Sequence, residues 1–293
     1  MKYRRLALIG CGLMGGSFAL ALRRAGLVEH VAGFSASEGT RQKALKLGVI
    51  DSACASAVDA AQDADLVLLA VPVHATESTL RAIDPAISPN ALVMDVGSTK
   101  GDVVAAARVA LQRSLANFVP AHPIAGKEVA GIEHADAQLY RERQVILTPL
   151  RENPAERVLQ AHQLWQALGS RVLELSPEAH DACFAAVSHL PHLTAFALVN
   201  AVARQPHGTK YLSMAGPGFR DFSRIAASDP CVWRDILLAN RDEVLHQSVL
   251  LREALHEFET TMAAGDADRL LAIIQEASQT RSRWRLGGAD SDV

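Results

Sequence analysis

Arg5-Leu6-Ala7-Leu8-Ile9 runs into Gly10-Cys11-Gly12-Leu13-Met14-Gly15-Gly16-Ser17 and on into Phe18-Ala19-Leu20-Ala21-Leu22. A short apolar run, a G-x-G-x-x-G and a helix-period apolar segment follow one another, the order of a strand, a phosphate-binding turn and a helix. Each glycine has its own task. Gly10 permits a tight exit from the strand, Gly12 has no side chain to hold a pyrophosphate off the backbone, and Gly15 lets the helix lie close to the sheet. The phosphates would meet unpaired N–H groups at the positive end of the helix dipole. A glycine-rich turn without a ligand has the same letters, but the flanking strand and helix favour a dinucleotide site.

Outward from this turn, a strand is expected over 28–34, ending at Ser35, and then a helix through 41–48 with Gly48 as its stop signal. Near-continuous apolar runs at 65–72, 91–96 and 117–121 read as strands buried on both faces of a parallel sheet. Shorter strands are expected at 144–148 and 171–175, around a helix at 155–168. This alternation predicts an α/β, doubly wound, mostly parallel sheet over 1–176. After Ser176-Pro177 only helix periods remain, at 179–187, 193–203, 229–240, 243–263 and 267–283, so 177–285 reads as an all-helical domain. Asp229-Pro230 is a helix start, with an N-cap and proline at the first helical position. The small, polar stretch 286–293 is expected to be disordered.

The composition sets limits on partners. With 49% hydrophobic and 21% charged residues and a net charge of −3, the chain is globular and lacks the basic footprint of a nucleic-acid binder. Four cysteines without C-x-x-C spacing read as reduced residues of a cytoplasmic protein. The opening strand is no signal segment, and no apolar run reaches about 18 residues, so neither secretion nor a membrane span is expected.

Ligands of open α/β sheets bind beyond the carboxyl ends of the strands. Three segments are expected there: Pro72-Val73-His74, Gly97-Ser98-Thr99-Lys100 and His122-Pro123-Ile124-Ala125-Gly126. His122, one residue past a predicted strand end, suits an acid/base group, since an ordinary imidazole titrates near ~6.5; a structural histidine is the other reading. Ser98 can bond that histidine or a substrate hydroxyl, or cap the helix starting near Gly101. For Lys100, a solvated turn charge is favoured over a substrate contact. In the helical part, His189 and His192 are three apart, yet no Cys or carboxylate completes a zinc set, so no metal is expected. Arg224 reads as a carboxylate clamp or as a surface ion pair.

These residues, with Ala70-Val71-Pro72-Val73, Asp95 to Lys100, His122 to Glu128, Ser188-His189-Leu190-Pro191-His192, Gly218 to Ala226 and Asp229-Pro230-x-x-Trp233, resemble the prephenate/arogenate dehydrogenases of tyrosine biosynthesis. The resemblance runs in order over residues 5–285. It implies a Rossmann-like domain with a helical dimerisation domain, and oxidation of a cyclohexadienyl substrate with loss of CO2 by a homodimer. It implies that His122 deprotonates the ring hydroxyl, with Ser98 orienting both. It places Arg224 on a substrate carboxylate and His192 at the substrate's side chain, with Glu128, His180, Asp181 and Asp221 around the pocket. Trp233 would reach a neighbouring subunit's site. The cofactor set it implies comprises Gly10, Gly12, Leu13, Met14 and Gly15 in the turn, and Val71 and Pro72 after the third strand.

One departure concerns the cofactor. NAD-selective members usually carry an acidic residue at the end of the second strand, where this chain has Ser35. Ser35, Ser37 and Arg41 could take a 2′-phosphate, so NADP is expected to be favoured over NAD. Two alternatives remain: a β-hydroxyacid dehydrogenase of the 6-phosphogluconate type, whose lysine-bearing helix motif is not reproduced here, and a cofactor-binding protein without turnover. Keto and amino substrates are not separated by spacing, but no acidic residue stands out as an ammonium partner, which favours prephenate or dual use.

Overall fold

The computed structural model describes residues 2–127 and 129–285. The pocket role expected of Glu128 and the disorder expected of 286–293 fall outside the described residues. The first unit, 1–241, is built on β1 (Tyr3–Ile9), α1 (Leu13–Arg24), β2 (Val28–Phe34), α2 (Glu38–Lys46), β3 (Ser52–Ala53), α3 (Ala57–Ala61), β4 (Leu66–Leu69), α4 (Thr76–Ile83), β5 (Leu92–Asp95) and α5 (Gly101–Ala110). The five strands form one parallel sheet in the order β3-β2-β1-β4-β5, as expected of a Rossmann-like half. Alternate residues of β1 explain its continuous apolar run. Leu6 and Leu8 join one core cluster and Ala7 and Ile9 the other, so both faces of the sheet are covered.

Next come β6 (Ala121–Pro123), β7 (Gln144–Leu147), α6 (Ala155–Ala167) and β8 (Arg171–Glu174). They do not extend the first sheet. They form a second one, in which β6 and β7 are antiparallel and β7 and β8 parallel, with an isolated parallel bridge, Val93 to Phe118, just before it in the chain. The strand expected at 117–121 is therefore displaced. His122 sits within β6, opposite Ile146, rather than beyond a strand end. Pairing with a segment some twenty residues later sets the strand, and no local pattern carries that information. Trp165 of α6 closes the core against Phe18 and Tyr140, ring centroids 5.1 and 5.2 Å away.

The helical part of this unit holds α7 (Pro177–Phe184), α8 (Leu190–Ala203), α9 (Gly208–Ser213), α10 (Pro217–Ser223) and α11 (Pro230–Ala239). Asp229 caps α11, its Oδ1 accepting from the N–H groups of Cys231 and Val232. Between α7 and α8, Ala185–His189 is wound as a π-turn. Pro191 has no N–H to give Val187's carbonyl, the α-helical acceptor four residues back, and the wider turn accommodates that loss. Pro177–Ala203 thus runs as one helical stretch of 27 residues that contains an 18-residue window of mean hydropathy 1.5, long and apolar enough by length and composition alone to cross a membrane. No unbroken apolar run in it reaches about 18 residues, because His180, Asp181 and His189 interrupt the apolar letters. Those three side chains are buried and bonded within the protein.

The second unit, 242–293, comprises nearly all of α12 (Arg241–Ala264) and α13 (Ala267–Arg283). Gly265, at φ 67°, makes the turn between them and Asp266 caps α13 through Arg269 N.

Candidate active site

The glycine turn has the shape its sequence implies. Gly10 has φ 105°, and a Cβ there would lie 2.1 Å from the carbonyl oxygen of Ala70. A Cβ at Gly15 would lie 2.2 Å from Gly10 O and 2.9 Å from Leu8 Cδ1. Gly12 differs: a Cβ there would meet nothing within 4 Å, because that face is open. Gly12 is also the N-cap of α1, no side chain caps the helix, and its first turn carries no acidic residue. An anion therefore meets free N–H groups and no repelling carboxylate, and the residues present fit a dinucleotide's phosphates. Leu13 is buried, and Met14 is fixed by its carbonyl, which accepts from Tyr140 Oη at 2.7 Å. Val71 is half-buried and Pro72 exposed just beyond β4.

At the end of β2, Ser35 has no carboxylate to offer a ribose. Arg41 donates to the carbonyls of Ser35 and Ala36, with its guanidinium 5.7 Å from the centre of the Phe34 ring. Ser37 caps α2, its Oγ accepting from Thr40 N at 3.3 Å.

His122 is half-buried and leads into a buried chain of groups. Its Nδ1 is 2.8 Å from His180 Nε2, and His180 Nδ1 is 2.7 Å from Asp181 Oδ1. Phe184 packs on both rings, 4.8 Å from His122 and 4.5 Å from His180 between centroids. Burial, and then His180, Lys100 and His189, hold the His122 imidazole well below the ordinary histidine range. Burial also lowers His180, against the opposing pull of Asp181. Burial alone would raise Asp181, but bonds from His180, Lys100 N and Gly101 N outweigh it and keep the carboxylate ionised.

Those last bonds also explain Ser98. It does not cap α5, whose N-cap is Lys100 without a side-chain cap. Asp181, about eighty residues later, supplies the cap instead, accepting from Lys100 N and Gly101 N at 2.8 Å each. Ser98 itself is half-buried in the loop between β5 and α5. Lys100, expected as a solvated turn charge, is wholly buried. Its Nζ pairs with Asp95 and donates to Ala121 O at 2.9 Å, while Asp95 also accepts from Gly97 N and Ala121 N. The pair ties the end of β5 to the residue before His122. An Asp closing an apolar strand with a Lys five residues on was the available signal.

Among the helical candidates, His180 is fully buried behind His122, a supporting place rather than a lining one. His192 donates from Nδ1 to Ser188 O at 2.9 Å, leaving Nε2 as an acceptor. Trp233 stacks on His192 of its own chain, centroids 3.5 Å apart. Asp221 is exposed and paired with its neighbour Arg220 at 2.9 Å. Arg224 is exposed on a 3-10 turn that packs against α8, the helix carrying His192. Asn240 has no sequence signal, and the sequence offers His189 only as a metal ligand. Asn240 Nδ2 donates to Asp181 O at 2.8 Å and to His189 Nδ1 at 3.1 Å, and burial brings His189 down to about 4. His74 Nδ1 also contacts Asp235 of α11, 2.8 Å away. Among the described residues, no group of three or more His, Cys, Asp or Glu is arranged to hold a metal ion.

A family model described as the nucleotide-binding domain of prephenate dehydrogenase matches residues 18–174, and one described as its dimerization domain matches 176–276. Cyclohexadienyl dehydrogenase from Zymomonas mobilis is 34% identical over 283 residues, covering 95% of each chain. Prephenate dehydrogenase from Bacillus subtilis is 35% identical over 282 residues, 94% of this chain and 75% of its own. The crystal structure of prephenate dehydrogenase from A. aeolicus in complex with hydroxyphenyl propionate and NAD+ superposes with a TM-score of 0.90, at 34% identity, over 96% of this chain and 98% of that one.

Proposed function

The chain belongs to the prephenate dehydrogenase family, and on that premise we propose that His122 is the base that removes the ring hydroxyl proton as prephenate is oxidised. The enzyme is an oxidoreductase that works with a nicotinamide cofactor and converts prephenate to 4-hydroxyphenylpyruvate with loss of CO2. When bound, the cofactor supplies the two-electron acceptor for the hydride. His122 takes the proton from the carbon's hydroxyl, and formation of an aromatic ring drives the departure of CO2. Ser98 orients the hydroxyl against His122. Arg224 holds a substrate carboxylate by its guanidinium fork, and His192, flat against Trp233, lines the side-chain end with its free Nε2. Residues 177–285 form the substrate and dimerisation domain.

The observation supporting this reading is the position of His122, which is anchored through Nδ1 to His180 while the residue keeps some exposure. A base needs a fixed ring and a free lone pair. His122→Asn should abolish turnover of prephenate while leaving cofactor affinity within about twofold; near-normal kcat in that variant overturns the assignment. Running arogenate beside prephenate in the same assay separates the two substrates.

For the cofactor, Ser35 without a carboxylate and Arg41 at its carbonyl support NADP over NAD, since a carboxylate there would repel a 2′-phosphate. The four free cysteines support a reducing, cytoplasmic setting. The long apolar stretch Pro177–Ala203, only 22% buried in one chain, supports a homodimer that covers its exposed side.

A further inference from the structure

We propose that Asp181, His180 and His122 form one hydrogen-bonded chain that fixes the tautomer of His122 and takes up the charge His122 gains with the substrate's proton. The proposal rests on His122 being the base. The direction of the chain follows from its inner end. Asp181 is an acceptor with both oxygens engaged by the N–H groups of Lys100 and Gly101, so His180 Nδ1–H must donate to it. A neutral His180 then has a bare Nε2, which accepts from His122 Nδ1–H. That leaves His122 Nε2 with its lone pair free for the reacting hydroxyl.

The proton count closes without any further group. The hydroxyl proton bonds to His122 Nε2, and the Nδ1 proton of His122 moves to His180 Nε2. His180 becomes the cation, its Nδ1–H still on Asp181. Every charge facing His180 is accounted for. Lys100 and Asp95 neutralise each other in contact, His122 and His189 are neutral, and Asp102 interacts with Lys100 and Asp181 rather than with His180. Asp181 is the remaining negative charge, and it is the partner on which an imidazolium can settle. His180 is a positioning residue in this scheme, because it acts through His122.

The test uses full-length enzyme saturated with cofactor and follows kcat, KM for prephenate and the pH profile in three variants. His180→Gln can still accept from His122 Nδ1–H through its amide oxygen but cannot take a proton, so kcat should fall about tenfold with KM unchanged. His180→Phe fills the same buried space and does neither, so kcat should fall at least 100-fold. Asp181→Asn can donate to His180 Nδ1 and reverse the chain, which puts a proton on His122 Nε2; kcat should fall by 10²–10⁴, as a wrong tautomer does in other triads. Its acid-limb pKa should also drop by about one unit or more as the negative charge is lost. Equal losses in Gln and Phe, or an unmoved pH profile in Asp181→Asn, overturn the proposal. Should Asp181→Asn fail to fold, the Gln and Phe pair decides alone. If His122→Asn is dead while His180→Phe keeps wild-type kcat, the base stands and the chain falls. If His122→Asn is active, the base assignment itself is wrong.

Discussion

Replacing Gly12 and Gly15 separately by alanine should divide binding from folding within one turn. At Gly12 the added methyl meets nothing within 4 Å, and φ is −93°, which any L-residue adopts. Stability should move by less than about 1 kcal/mol, the usual difference between alanine and better N-caps. The methyl does occupy the open face over the α1 amides. Losing one or two charge-assisted hydrogen bonds there, about 1.5–3 kcal/mol each, predicts cofactor binding weaker by about tenfold or more. At Gly15 the methyl would sit 2.2 Å from a backbone oxygen, and a backbone cannot rotate aside. Overpacking of this kind costs about 1–3 kcal/mol, which for a domain of this size lowers Tm by roughly 2–12 °C. Thermal unfolding without cofactor and a fluorescence titration with NADP read the two effects. Gly12→Ala unfolding as early as Gly15→Ala, or binding cofactor like wild type, would refute the reasoning.

Lys100→Met should destabilise the fold by about 3–5 kcal/mol, since it strands a buried Asp95 and the Ala121 carbonyl; denaturant melts check this, and a loss under 1 kcal/mol by the same measure contradicts it. Acid should weaken the protein through His189. The unfolded residue binds its proton near 6.5 and the folded one at about 4, so stability falls as pH drops through that window, by about 3 kcal/mol at its end. Melts at pH 7 and pH 4.5 should show His189→Asn losing less than wild type. Ser35→Asp should turn cofactor preference toward NAD by at least about tenfold in relative kcat/KM, and a strong NAD preference in the wild type would sink the NADP reading. Arg224→Ala should raise KM for prephenate by about tenfold or more with kcat little changed; an unchanged KM counts against the clamp.

The parts of the molecule legible in the sequence are those whose causes are local. The bounds of β2 and α13 follow from periodicity and caps, and the glycine turn from residue size alone. His122, Ser98 and Arg224 stand out because their residue types and neighbours suit the chemistry, whereas His192 gets its role only from the resemblance. The rest depends on partners far along the chain. Nothing near His122 says that β6 pairs with β7. Nothing near Gly101 says that α5 is capped by a carboxylate about eighty positions later. Lys100 was misjudged because exposure is the statistical habit of lysine, and only Asp95 and Ala121 O make its burial affordable. The sequence offers His189 only as a metal ligand, because its buried role depends on Asn240, fifty-one residues away.

Asp181 also bears on how far this chain can be divided. Its carboxylate holds the start of α5, its backbone carbonyl holds Asn240, and its neighbour His180 holds His122. A fragment cut at residue 176 would keep every strand of both sheets yet lose the cap of α5 and the far side of His122. Grafting the nucleotide-binding portion onto another helical partner would carry the same loss unless that partner placed a carboxylate at the same point. The two matched family segments meet at this junction, but they are not separable modules. A chain that evolves or is engineered here has to exchange the residue at 181 and the loop at 100–101 together.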